Sequence, residues 1–143
     1  MKHPQDMAAR LYEQFPTEPL RNIKDSACCA FVLMWCLKQD PEDAEAVMTV
    51  SRMMKAGALG SDCLVYWDAA ARFLTGHGVY VNKANIGTLK GIKERTPVLF
   101  TYNGKGHWVG VERGKIKFNP LAHSECVEKG KPAEKRVLID KGA

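Results

Sequence analysis

The residues Ala27 to Leu37 form an unbroken apolar run of 11, and no other stretch of the chain restricts its fold as strongly. The run is too short to cross a bilayer, which takes about 20 residues. Read as a helix from near Ser26 to about Lys38, it is apolar on every side. Such a helix is stable only when other elements surround it. A chain of 143 residues can supply that surround. Roughly two thirds of the unfolded surface is buried at this size, so neither a disulfide nor a metal is needed to hold a core. Hydrophobic residues at 45% and charged residues at 26% fit one globular domain, expected to span 1–143, and exclude a disordered or fibrous chain.

Around this helix the first half carries helical signals. Met7, Leu11 and Phe15 lie at i, i+4 and i+8 before Pro16 and Pro19, which end that stripe. Asp40 as a cap, Pro41 at the first position and Asp43 three residues past the cap predict a helix to about Lys55, closed by Gly57. Asp68 to Leu74 predicts another, closed by Gly76.

The second half changes period. Val79–Val81 and Pro97–Tyr102 read as strands, with a helical turn or two expected between them over Thr88–Glu94. Asn103-Gly104-Lys105-Gly106 has hairpin-turn composition, returning as a strand from His107 to Glu112. Arg113-Gly114 turns again into Lys115–Asn119, and Arg136–Asp140 adds a last strand. Helices first and an antiparallel meander after them make an α+β fold.

The five cysteines, Cys28, Cys29, Cys36, Cys63 and Cys126, include no CxxC pair and show no zinc-ligand spacing. Their odd number, with no apolar signal core behind the single lysine near the N-terminus, predicts reduced thiols, a cytoplasmic location and neither metal nor cofactor. Cys36 and Cys63 read as core. The net charge is +5, but the lysines are scattered and Glu94 interrupts Lys90, Lys93 and Arg95, which a solvated helix face explains about as well as a phosphate track, so a nucleic-acid partner is not the expected one. His3, His77 and His123 read as exposed loop histidines.

Chemistry enters where the two halves can meet. Cys28 begins the buried helix, where free N–H groups and the helix dipole favour an anion, so a depressed thiol pKa and fast alkylation near pH 6.5 are expected. His107 opens a strand and Asn119 ends the next. Two hairpin-linked strands can hold His107 at the helix end with Asn119 orienting its ring, the thiol form of nucleophile, base and orienter. Cys29 competes with Cys28 for the nucleophile's place; the two side chains point about 100° apart on a helix.

In these residues the chain resembles the papain-like cysteine peptidases, and among them the bacteriocin-processing leader peptidases that cleave after double-glycine leaders. Asp25-Ser26-Ala27-Cys28 opens the apolar helix, and Gly106-His107-Trp108-Val109 matches the histidine strand. Asn119-Pro120 stands for the family's Asp-Pro, and Thr96-Pro97-Val98-Leu99-Phe100 for the strand that pairs with the histidine strand. The resemblance implies a papain-like fold and hydrolysis of a peptide or related amide bond, with acyl transfer and deamidation as further uses of the same groups. It implies Cys28 as nucleophile, His107 as base and then acid, Asn119 as orienter, and Asn22 with the Cys28 N–H at the oxyanion. Asn22 stands where the family has Gln, and Cys29 where Gly usually follows the nucleophile. Those departures define the alternative, a papain-like module that binds a peptide or protein without catalysis.

Overall fold

The computed structural model describes residues 2–142; Met1 and Ala143, the ends of the expected domain, lie outside the described residues. The chain opens with helix α1, Pro4–Gln14, whose first turn carries the proline that suits a helix start. Pro16 follows the end of α1, but Pro19 does not stop helix formation, and a further helix fills the stretch to Ser26. Thr17 caps a further helix, α2 (Glu18–Ser26), its hydroxyl accepting from the Leu20 N–H at 3.4 Å, and Pro19 falls in the first turn, where its missing N–H costs nothing. Ala27 closes α2 and opens α3, Cys28–Cys36.

Helix α4 runs Asp43–Lys55 and starts later than expected. Asp40 is taken by the Lys2 ammonium at 3.0 Å, which also donates to the Pro41 carbonyl at 2.9 Å, so neither opens the helix. Helix α5, Trp67–Thr75, ends at Gly76, whose φ of +86° is the left-handed close expected of it.

The strands are β1 Val79–Asn85, β2 Thr96–Tyr102, β3 Lys105–Glu112, β4 Lys115–Phe118 and β5 Lys131–Asp140, with a short helix α6, Glu125–Glu128, before the last. All pairings are antiparallel, in the order β1-β5-β2-β3-β4. Only β2, β3 and β4 form a meander; β5 inserts between β1 and β2 and replaces the simple succession expected. Both meander turns use paired left-handed residues, Asn103-Gly104 (φ +52° and +77°) and Arg113-Gly114 (φ +53° and +73°), whose twist suits two-residue hairpins. Thr88–Glu94 forms no helix. Gly91 sits at φ +88°, Ile92 is buried, and the carbonyls of Ile92 and Lys93 accept from Gly114 and Arg113 instead of from a helical neighbour.

The architecture is therefore α+β, helices against a five-stranded antiparallel sheet. No helix among the described residues is long and apolar enough to cross a membrane. Ala30 to Met34 of α3 are all buried, while Trp35 and Leu37 are partly so. On one sheet face, Trp108 and Leu138 join the core around α3. On the other, Val98, Phe100, Val109 and Val111 close a second core with Ile92 and Cys126.

Trp35 crosses the sheet at Gly110 and stacks on Phe118, with centroids 6.0 Å apart and planes 9° apart. Gly110 pairs with Phe118, and a Cβ there would collide with the indole. Gly110→Ala should therefore destabilise the fold by about 1–3 kcal/mol, as overpacking does. Urea denaturation checks this, and Trp35→Leu in the same chain should recover part of the loss.

Candidate active site

Cys28, the first residue of α3, is a half-buried free thiol in a cleft of about 480 Å³. One wall is the segment Asp62–Val65 with Trp67, and the other is Leu99, Gly106, Trp108 and Arg136 on the sheet. Strand β4 pairs only with Gly110–Glu112, which leaves the first half of β3 with an open edge. At that edge the thiol meets the backbone of Trp108, whose N–H, with those of Cys28 and Cys29, favours the thiolate. Burial outweighs these dipoles, and the Cys28 pKa is raised above the ordinary thiol value. The depression expected from the helix terminus is thus reversed by desolvation. Cys29 is buried and raised further, again mainly by burial. Cys63 is buried as expected and pushed up to about 11, whereas Cys36 is only half-buried, its thiol also raised by burial.

His107 is buried, and its Nε2 lies 2.7 Å from Asn119 Oδ1. The same oxygen accepts from the Leu121 N–H at 3.1 Å. A backbone N–H can only donate, so the atom facing both groups must be the amide oxygen, and Nε2 must carry the ring proton. The lone pair of the neutral imidazole is then on Nδ1. Burial lowers the His107 pKa, and the bond to Asn119 raises it in part.

The segment Asn119–Ala122 is itself held by His3 and the first turn of α1. The His3 ring Nδ1 lies 2.9 Å from the Asn119 carbonyl, Gln5 N–H donates to the Pro120 carbonyl at 3.0 Å, and Ala122 N–H donates to Asp6 at 2.8 Å. His3 is thus no free loop histidine; only the folded contact between the two chain halves gives it a partner. His77 Nδ1 faces the Gly142 carbonyl at 3.1 Å, and His123 faces Glu128 at 3.5 Å.

The structure joins His107 to Asn119 and sets Cys28 beside Trp108, one residue along the strand. His107 pairs with Phe100 and so shares the second-core face, while Trp108 pairs with Leu99 on the cleft face. Among the described residues no hydrogen bond joins the Cys28 thiol to the imidazole. Asn22 is not brought to the thiol: its Nδ2 donates to the Ser61 carbonyl at 3.0 Å, and it does not line the cleft. Arg136 and Trp67 line the cleft although no motif marked them. No three His, Cys, Asp or Glu side chains among the described residues are grouped to hold a metal ion.

Comparison with protein-family models, curated proteins and solved structures returned no match.

Two titrations follow. Iodoacetamide should alkylate Cys28 more slowly than a free cysteine at pH 7, with the rate still rising above pH 9, because the raised pKa withholds the thiolate; mass spectrometry of the labelled peptide reads this directly. His107, with its folded pKa below the unfolded value of about 6.5, favours folding above that pH, and this contribution is lost as pH falls through the folded pKa. Asn119→Ala should move the His107 NMR titration still lower, since the bond that opposes desolvation is gone.

Proposed function

We propose that this chain is a thiol hydrolase of papain-like fold that cleaves a peptide or related amide bond, with a peptide or protein as substrate in the cytoplasm. The observation that carries the reading is the 2.7 Å contact of His107 Nε2 with an Asn119 oxygen whose orientation the Leu121 N–H fixes. That arrangement holds one tautomer and leaves Nδ1 as a base one residue from the strand position that meets Cys28.

The resting pair in this reading is a neutral thiol and a neutral imidazole, in keeping with the raised Cys28 and lowered His107 pKa values. The Cys28 proton passes to His107 Nδ1 as the sulfur attacks the substrate carbonyl. The imidazolium then protonates the departing amine, and water, activated by the same Nδ1, hydrolyses the thioester. The Cys28 N–H at the start of α3 supports the oxyanion. In this reading the thiol and the ring, which the strand sets on opposite faces of β3, meet around its open edge when substrate binds, as catalytic hydrogen bonds can tighten only in the complex. Transfer to another nucleophile or deamidation would use the same groups.

The engaged Asn22 favours a second reading, a module that holds a peptide in the cleft without cleaving it. Turnover of a fluorogenic peptide library decides between them. Under the hydrolase reading, Cys28→Ala and His107→Ala each lower kcat by at least about 1000-fold, and Asn119→Ala by less. Asn22→Gln, whose longer amide can pass the Ser61 carbonyl, should raise kcat by up to about 100-fold, the scale of one oxyanion donor. Binding of library peptides with no turnover that depends on Cys28 would establish the module instead.

A further inference from the structure

The wall of the cleft opposite Asp62 carries an arginine that its own fold leaves underused. Arg136 lies on β5, paired with Lys83 of β1, and its guanidinium stands 5.7 Å from the Trp67 ring centroid and 5.6 Å from that of Trp108. Those two indoles meet edge to face at 5.9 Å, so the cation rests on a preformed aromatic corner of the cleft. Contact with both rings confines the cation to that corner and limits the rotamer freedom it has left to lose.

Its charge is incompletely answered. Glu134 is the ionic partner of Arg136 among the described residues, at a long 3.4 Å, and the same Glu134 Oε2 also receives the Lys83 ammonium at 3.2 Å. One carboxylate therefore serves two cations, which leaves the cluster with a net charge of +1. Arg136 Nε is buried with no hydrogen-bond acceptor. A buried donor without an acceptor costs on the order of 1–3 kcal/mol, and the fork geometry of a guanidinium matches a carboxylate. The carboxylates on the far side of the cleft are already engaged: Asp25 pairs with Lys24 at 2.7 Å, and Asp62 accepts from the Leu64 N–H at 3.1 Å. Asp62, which has no cation partner among the described residues, makes the far rim negative, repels an anion from that side and leaves the Arg136 end as its place.

We infer that Arg136 is a carboxylate-binding residue of the Cys28 cleft, so that its ligands are peptides carrying a carboxylate close to the bond at the thiol. The carboxylate is a free C-terminus or an acidic side chain. The inference rests on the proposed cleft as a peptide site, but not on catalysis in it.

The test is binding to the Cys28→Ser chain, followed by titration calorimetry with three blocked dipeptides: acetyl-Ala-Ala with a free carboxylate, its amide, and acetyl-Ala-Glu-amide. The free acid or the Glu peptide should bind at least tenfold more tightly than acetyl-Ala-Ala-amide, and whichever of the two does so identifies the source of the carboxylate. Arg136→Gln should abolish the difference. Arg136→Lys, which keeps the charge without the planar fork, should reduce it, and the indole N–H resonances of Trp67 and Trp108 should shift with the acid and not with the amide. Equal affinity for acid and amide in the chain with Arg136 intact overturns the inference, as does a preference that survives Arg136→Gln. If Arg136→Gln does not fold, unshifted indole resonances in the presence of the acid overturn it equally. Carboxylate binding to Cys28→Ser, with no turnover of library peptides by the chain with Cys28 intact, would sink the hydrolase reading alone, and turnover by the intact chain without carboxylate preference would sink this inference alone.

Discussion

Everything in this molecule is arranged around the need to bury α3 on all sides. No face of Cys28–Cys36 can be left to solvent, so α1, α4 and α5 gather on the helix side, and the sheet closes the rest. The closest approach is bought at Gly110, where the absence of a side chain lets Trp35 lie across the sheet against Phe118. That contact fixes the height of the helix above β3. It thereby fixes where the first residue of α3, Cys28, arrives along the strand edge. The thiol's place is a by-product of core packing.

The parts of the fold set by local chemistry were legible in the sequence. Asn103-Gly104 turns as its residues favour, Gly114 and Gly76 take the left-handed conformation open to glycine, and Val98–Phe100 pairs with His107–Val109 in the expected hairpin. The pairing of His107 with Asn119 could also be anticipated, because a hairpin brings one strand's start to the next strand's end. What escaped depended on distant partners. The Asp40 cap is lost to Lys2, 38 residues away in sequence; Pro19 is a local exception, a stop signal that the Thr17 cap turns into part of the first turn of α2. The 88–94 segment reads as helix until the Arg113-Gly114 turn claims its carbonyls.

The site shows the same division in its electrostatics. A helix terminus is visible in the sequence, and its dipole argues for a thiolate. Desolvation is a property of the assembled fold, and at Cys28 it is the larger effect. Likewise, the place of Asn22 in the chain says nothing about the Ser61 carbonyl that takes its amide, nor could any motif have put Arg136 between Trp67 and Trp108. Sequence order identified the atoms available for chemistry; tertiary contact determined their protonation and their aim.

The insertion of β5 between β1 and β2 carries a consequence for how the chain reaches this state. During synthesis β1 and β2 are made long before the strand that must lie between them. Until β5 is made, β1 has no strand partner and β2 is paired on one side alone, so the sheet cannot be completed by local hairpins. Pairing Val79 with Asp140 closes a loop across most of the second half of the sequence, a non-local step of the kind that slows folding. The edge of β2 that β5 covers in the folded sheet therefore stays open until β5 is made, and open strand edges are the surface that chaperones bind.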